Sequence, residues 1–298
     1  MGICGYLPKN QTKVIHMRLA LLQTATGADT LENIAHITPL IADAAAAGAS
    51  LIVLPEATSQ AFGQGRLDTQ AEELDGEFAT AMRRLAERHS VTIVAGMFRP
   101  GDTNKVGEKT YHRVRNTALV TGGGVHRGYD KIHAYDAFDY RESDTVQTGD
   151  ELLTFVHEEA GQCALVGVAV CFDIRFPEQF KALAACGCDL VVVPTSWADG
   201  PGKLEQWRAL SVARALDTGM FIAAAGQSRP GWEHAAGTPS GPTGIGHSTV
   251  ARPTGERIAE AGYGPKTLIV DIDLAEVAAA RRALPLAAIT GATRSFAG

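Results

Sequence analysis

The chain has 298 residues, with 27 Lys and Arg against 33 Asp and Glu, which gives a net charge of −6 at pH 7. This acidic balance argues against a nucleic-acid-binding protein, because such proteins usually carry a basic face. Hydrophobic residues make up 45% and charged residues 20%, as in a compact globular protein and unlike a disordered chain. No apolar run approaches the roughly 20 residues that a helix needs to cross a bilayer. We therefore expect a soluble protein that binds neither nucleic acid nor membrane.

The N-terminal residues and the cysteines indicate the cellular compartment of the protein. Residues 1–16 lack the basic start and apolar core of a signal peptide, and the five cysteines are odd in number and not spaced like a disulfide framework. We expect reduced thiols in the cytoplasm. Residues 1–16 are predicted to be an N-terminal extension, residues 17–282 a single domain, and residues 283–298 a C-terminal tail.

The first half of the chain alternates short apolar runs with helical patterns, which predicts an α/β fold. A strand is expected at residues 18–24, then a helix from the N-cap Asp29 to Ala47, with Gly48 as its stop. A buried strand at 51–55 follows, and then a helix at 75–88 and a strand at 91–97. Residues 100–111, 135–150 and 226–246 are irregular and long enough to be active-site loops.

The second half repeats the same order of patterns. A helix is predicted at 181–186, a strand at 189–194, a helix at 203–217 and a strand at 220–225. The segments AGASLIVLPEAT and CGCDLVVVPTSW match in helix end, glycine, apolar run and proline. Either the chain has two pseudo-equivalent halves, or the match reflects the general similarity of βα units. Pseudo-equivalent halves would place Glu56 and Thr195 at corresponding strand ends, where open α/β sheets bind ligands.

Several catalytic motifs are missing from the sequence, and one candidate nucleophile stands out. There is no G-x-S-x-G elbow, no phosphate-binding loop and no G-x-G-x-x-G after a strand. Cys171 lies where a buried strand enters a polar turn and a helix start, and the free N–H groups of that helix could stabilise its thiolate. On this segment alone, an inert buried cysteine is an equal alternative.

Three sequence blocks, taken together, favour a reactive Cys171 over an inert one. Leu-Pro-Glu56, Tyr-Asp-Lys131-Ile-His and Cys171-Phe-Asp-Ile-Arg-Phe-Pro-Glu resemble, in order and spacing, the signature blocks of the nitrilase superfamily, the carbon-nitrogen hydrolases. The similarity runs from Met17 to about Ala279. It implies an αββα sandwich that forms homodimers or higher homo-oligomers, with no metal and no cofactor.

The resemblance also implies roles for individual residues. Cys171 would be the nucleophile, Glu56 the general base and acid, and Lys131 the oxyanion stabiliser, assisted by the Phe172 amide. Glu142 matches the second glutamate of the family, which holds the lysine or the substrate, although an exposed loop acid is the alternative.

The block after Cys171 looks most like the branch of ω-amidases and deaminated-glutathione amidases. That branch releases ammonia from a primary amide on a small carboxylate-bearing molecule. Arg175 would bind the carboxylate, or alternatively serve the helix start or an internal ion pair. Further candidates for the substrate pocket are Thr195, Ser196, Tyr135 and Phe138. The alternative functions are N-carbamoyl amino-acid hydrolysis, nitrile hydrolysis and, outside the enzymes, an inactive binding or scaffold relative.

Overall fold

The computed structural model describes residues 16–137 and 140–286. The first half of the chain forms five strands and two helices: β1 (Met17–Gln23), α1 (Thr30–Ala46), β2 (Leu51–Val53), α2 (Glu77–His89), β3 (Thr92–Val106), β4 (Lys109–Gly122) and β5 (Val125–Asp130). A short hairpin follows, made of β6 (Asp136–Ala137) and β7 (Tyr140–Arg141).

The second half contains six strands and two helices: β8 (Thr154–Glu159), β9 (Gln162–Val168), α3 (Pro177–Ala185), β10 (Leu190–Thr195), α4 (Lys203–Thr218), β11 (Phe221–Gly226), β12 (Thr249–Ala251) and β13 (Arg257–Glu260). The chain then returns to the first half through β14 (Lys266–Ile272) and ends its regular structure with α5 (Ala275–Ala283).

The two large sheets have the same topology. The first has the order β14-β1-β2-β3-β4-β5 and the second β8-β9-β10-β11-β12-β13. In both, three central strands run parallel, and the strands outside them are antiparallel. The predicted strand pair at 51–55 and 189–194 therefore occupies equivalent places, as β2 and β10. The likeness of the two halves is real at the level of strand order.

Side chains alternate between the two faces of each strand, so each sheet packs against the other sheet on one face and against helices on the other. Leu19 and Leu21 of β1 belong to the core that both sheets share, whereas Ala20 and Leu22 pack with the helices of the first half. Burying each leucine fully contributes roughly 1.5–3 kcal/mol. Helices cover both outer faces, so the fold is the expected αββα sandwich. The shared core includes residues from Met17 to Val277.

Most of the predicted boundaries agree with the structure to within a few residues. The carboxylate of Asp29 accepts hydrogen bonds from the amides of Leu31 and Glu32 at 2.9 and 3.0 Å, which confirms the N-cap of α1. The helix expected at 181–186 begins earlier, because Pro177 is its first residue and fits the first turn of a helix.

The prediction of an irregular loop at residues 100–111 is wrong. The segment forms the far end of the β3–β4 hairpin, with pairs from Thr103 and His112 to Val106 and Lys109. Its Pro and Gly residues are accommodated by a register shift after Pro100 and by a turn at Gly107, which has a φ of 60°. The segment at 226–246 is irregular as predicted, with a 3₁₀ turn at Trp232–Ala235.

Parts of the predicted ends lie outside the described residues. Of the N-terminal extension the structure describes only His16, and of the C-terminal tail only residues 283–286. Among residues 16–137 and 140–286, no helix is both long and apolar enough to cross a membrane.

Candidate active site

The site lies at the edge of the sandwich where the carboxyl ends of the parallel strands meet. Glu56 follows β2 by three residues, Cys171 follows β9 by three, Lys131 comes directly after β5, and Ser196 directly after β10. One cavity contains all four of these residues together with Glu142. Positions that are separated by up to 140 residues in sequence are thus brought together, as the edge of an α/β sheet allows.

Glu56 is held from three directions. Its Oε1 accepts hydrogen bonds from Asn116 Nδ2 at 2.7 Å and Lys131 Nζ at 3.3 Å, and its Oε2 accepts one from the Ser196 amide at 2.8 Å. The side chain is 1% exposed. These donors compensate a carboxylate that burial would otherwise strongly disfavour. The Ser196 hydroxyl faces elsewhere and donates to the Pro242 carbonyl.

A glycine on the neighbouring strand makes the position of Glu56 possible. A Cβ at Gly96 would lie 2.5 Å from the Ala57 nitrogen and 2.6 Å from both the Glu56 Cα and the Pro55 oxygen. Ala57 itself turns the chain with a φ of 59°. The backbone therefore crosses directly over β3 at Gly96, a closeness that only glycine permits.

Lys131 lies between two carboxylates. Its Nζ donates to Glu142 at 2.8 and 3.0 Å, in addition to the 3.3 Å contact with Glu56. Glu142 is 2% exposed and sits in a 3₁₀ turn at Glu142–Asp144, where it also accepts the Tyr135 amide. The structure thus excludes the exposed loop acid considered above, and it places Glu142 beside the lysine.

The balance of charge in this group sets its proton affinity. Burial raises the pKa of Glu56, and Glu142 raises it further, against the opposing effects of Lys131 and Asn116. Burial would lower the pKa of Lys131, but Glu142 and Glu56 outweigh it and hold that pKa well above the ordinary value. One ammonium faces two carboxyls, so the group readily takes up one more proton. Such a carboxylate has the properties of a general base.

Cys171 begins a 3₁₀ turn at Cys171–Arg175, with a φ of 46°, which is unusual for a residue with a side chain. Burial raises the pKa of its thiol well above the ordinary value, and the charge of Glu56 raises it further. The α-helix α3 begins only at Pro177, so the free N–H groups beside Cys171 are those of the 3₁₀ turn. The nearby Glu56 carboxylate favours the protonated form of the thiol.

A fully buried aspartate, which the sequence analysis did not assign to the site, anchors the Cys171 turn. Asp173 accepts hydrogen bonds from the Tyr129 hydroxyl at 2.7 Å, the Val170 amide at 2.9 Å, and the His133 amide and ring at 3.0 and 2.8 Å. Gln179 in turn donates to the Tyr129 hydroxyl at 2.8 Å. This network connects the Cys171 turn to β5 and to the segment that follows Lys131.

The remaining wall of the cavity is aromatic and cationic. Arg175 lies with its guanidinium carbon 5.1 Å from the Trp197 ring centre and 5.9 Å from that of Phe172, and it donates to Gln206 Oε1 at 2.7 Å. Tyr135 packs edge-on against Phe172 at 4.9 Å. The partner of Arg175 is thus Gln206, not an acid of its own turn. Lys203 also lines the cavity.

Thr195 lies elsewhere than expected. It is 1% exposed, its hydroxyl donates to the Val193 carbonyl at 3.0 Å, and the cavity wall is formed by the next three residues in the chain. Phe138 lies outside the described residues. The cavity volume is about 30 Å³, which holds two or three water-sized groups at roughly 10–15 Å³ each. Only a small group fits this space, so a larger ligand would extend into the mouth of the cavity.

The αββα sandwich is consistent with the nitrilase superfamily, to which structural neighbours of this chain belong. The carbon-nitrogen hydrolase model matches residues 18–282, and the chain belongs to this family. It is accordingly a hydrolase that acts on carbon-nitrogen bonds, and its family supports amide hydrolysis.

Comparisons with individual proteins agree. "Hydrolase Rv0480c" of Mycobacterium tuberculosis is 43% identical over 272 residues, which cover 89% of this chain and 92% of the relative. "Omega-amidase NIT2" of Homo sapiens is 30% identical, covering 90% and 93%. Among solved structures, a mutant of the Nesterenkonia AN1 amidase from the nitrilase superfamily superposes with a TM-score of 0.70 at 26% identity, covering 94% of this chain and 97% of that one.

Proposed function

We propose that this protein is a cysteine-dependent amidohydrolase that releases ammonia from the primary amide of a small carboxylate-bearing substrate. The observation that carries the proposal is the burial of Cys171, Glu56 and Lys131 in one cavity, with the Lys131 ammonium 3.3 Å from the Glu56 carboxylate. A binding module has no need of such a costly group of buried charges.

The first half-reaction forms a thioester. Glu56 takes the thiol proton as the sulfur attacks the amide carbon, so a buried thiol with a raised pKa becomes nucleophilic only when the substrate is in place. The C–N bond then breaks, and Glu56 returns the proton to the nitrogen, which leaves as ammonia. The raised pKa of Glu56, caused mainly by burial, suits it to both steps.

The second half-reaction is hydrolysis. Glu56 removes a proton from a water molecule that attacks the thioester carbonyl. The C–S bond breaks, the proton returns to sulfur, and the product leaves as a carboxylic acid. Each turnover therefore consumes one amide and one water and restores the free thiol.

Lys131 and the Phe172 amide stabilise the oxyanion of both tetrahedral intermediates. A buried ammonium is effective there because the surrounding dielectric is low, and the loss of one such donor typically costs roughly 3–4 kcal/mol of transition-state stabilisation. Glu142 fixes the ammonium at 2.8 Å and so positions it before the substrate binds.

The substrate class follows from the cavity mouth. Arg175 lines the cavity among aromatic rings, and its guanidinium suits bidentate binding of a carboxylate. The relative from Homo sapiens is named an omega-amidase. Both observations favour an amide whose other end carries a carboxylate. Homodimer formation and a cytoplasmic location stay predictions.

Ammonia release from a panel of substrates tests the proposal. We expect turnover of α-ketoglutaramate or deaminated glutathione to exceed that of uncharged amides, N-carbamoyl amino acids and nitriles. In Arg175→Gln, KM for the carboxylate-bearing amide should rise about 10- to 100-fold, while an uncharged amide of equal length is little affected. If N-carbamoyl compounds were turned over fastest, the proposed substrate class would be wrong. If no substrate released ammonia and Cys171 did not react with alkylating reagents, the protein would be an inactive relative.

A further inference from the structure

Asn116 is hydrogen-bonded to both glutamates and to the backbone of Lys131. Its Nδ2 donates to Glu56 Oε1 at 2.7 Å and to Glu142 Oε1 at 3.4 Å, and its main-chain oxygen accepts the Lys131 amide at 2.8 Å. No other side chain in the described ranges is hydrogen-bonded to both glutamates apart from Lys131 itself. The sequence analysis did not identify this residue.

The orientation of the Asn116 amide is fixed by charge. Two carboxylate oxygens face the end that carries Nδ2, and the opposite orientation would place an acceptor against both of them. The other end, Oδ1, is buried and has no hydrogen-bond partner within the described part of the chain. An unpaired buried acceptor lowers the stability of the fold, so stability does not explain why an asparagine stands at this position.

The location of Asn116 separates it from the substrate. It is 1% exposed, on β4, opposite Phe98 of β3, and the walls of the cavity are formed by other residues. Asparagine is also disfavoured in strands, and this one lies in a strand whose residues from Ala118 to Val120 are apolar and buried. Asn116 therefore acts on the reaction only through the groups it touches.

We propose that Asn116 is a positioning residue that holds Glu56 in the ionised form and in the orientation that accepts the thiol proton. The proposal rests on the proposed role of Glu56 as the base. Asn116 and the Ser196 amide together bind one oxygen each of the Glu56 carboxylate, which fixes its plane. Because Asn116 donates to the charged form, it favours ionisation against the effect of burial.

Substitution of Asn116 tests the proposal through pH profiles. Asn116→Ala and Asn116→Leu remove the donor, and Leu keeps most of the volume. We expect kcat to fall about 10- to 100-fold with KM little changed, as for a hydrogen bond to a charged group. Without the donor, the pKa of Glu56 rises, so the acidic limb of kcat/KM should move to higher pH by about one unit.

A second readout needs no substrate. The rate of Cys171 alkylation by iodoacetamide also requires proton transfer to Glu56, so its rise with pH should shift in the same direction. If the proposed substrate class fails, this measurement still decides the role of Asn116. Mass spectrometry of the alkylated peptide distinguishes Cys171 from the other cysteines.

Gln60 provides the matched control, because it is also a buried amide with its nitrogen in use as a donor and an unpaired Oε1, but it is not hydrogen-bonded to Glu56 and does not line the cavity. Gln60→Leu should leave the acidic limb of the alkylation profile in place. An unchanged limb in either folded Asn116 variant would overturn the proposal. Failure of both Asn116 variants to fold, with Gln60→Leu folded, would also overturn it in favour of a structural role.

Discussion

The two halves of the molecule have the same strand order but contribute different chemistry. Leu21 pairs with Val53 in the first half as Val168 pairs with Val192 in the second, so Thr24 occupies the position equivalent to Cys171. The Thr24 hydroxyl is bonded to His36 at 2.7 Å and stays outside the cavity walls. The proposed nucleophile therefore comes from one half only.

The proposed base, Glu56, comes from the other half, and the ends of the strands differ in a way that explains why. In the second half β10 continues to Thr195 and pairs with β11 as far as Gly226. In the first half β2 ends at Val53, and the chain crosses over Gly96 so that Glu56 faces the cavity. The position equivalent to Gly96 is Ala225, where the continuous pairing leaves room for a methyl group. A shared scaffold thus acquires a site by differing at its strand ends.

The largest effect is expected from substitution of Cys171, the residue that the second half contributes. Cys171→Ala should lower turnover by roughly 10⁴-fold or more, because no other group in the cavity can form the acyl intermediate. The melting temperature should change little, since the substitution removes one buried sulfur atom. Ammonia release and differential scanning calorimetry measure the two effects.

Cys186→Ala is the control for this substitution, because Cys186 is an exposed cysteine at the end of α3. It should retain full activity. Substantial turnover in Cys171→Ala would contradict the assigned nucleophile, whereas early melting with partial activity would indicate a structural cysteine.

A smaller effect is expected from the first half. In Gly96→Ala the added methyl group would meet the backbone at 2.5–2.6 Å, which should cost about 1–3 kcal/mol in the free energy of unfolding and displace Glu56. Urea unfolding measures the stability, and kcat should fall as well because the base moves.

Gly241→Ala is the matched substitution, since its added carbon would meet nothing within 4 Å. Its unfolding free energy should equal that of the unsubstituted protein. If Gly96→Ala were equally stable and active, the close crossing of β3 would not be what separates the two halves.

The smallest effect concerns the contact between the sheets at the opposite edge. His157 of β8 is bonded to Ser50 at 2.9 Å and to Thr92 at 3.1 Å in the first half, while Ser50 also donates to Glu159. Burial lowers the pKa of His157 below its ordinary value. The unfolded chain then binds the proton more tightly, so stability should fall as the pH drops below about 6.5.

His157→Gln tests whether His157 causes this pH dependence, because glutamine is polar but cannot titrate. Its unfolding free energy at pH 8 should fall by about 1 kcal/mol for the altered hydrogen bonds. Between pH 8 and pH 5 its stability should change less than that of the unsubstituted protein. An identical pH dependence in the two proteins would show that His157 does not couple the halves to pH.

Local pattern determined much of this protein in advance. Apolar runs, the Asp29 cap and the glycine stops predicted the alternation of strands and helices, because these signals act over a few residues. The Cys171, Lys131 and Glu56 blocks pointed to one family, and the structure places all three residues in one cavity.

Only the tertiary structure decided the rest. The hairpin at 100–111 forms because distant residues pair despite Pro and Gly, and the Asp173 network joins groups 40 or more residues apart. The same holds for the Ser196 amide on Glu56 and for the raised pKa of Cys171, which depends on burial and on a carboxylate from the other half. Burial and electrostatic contact arise only when the two sheets pack, so no local segment of the sequence contains them.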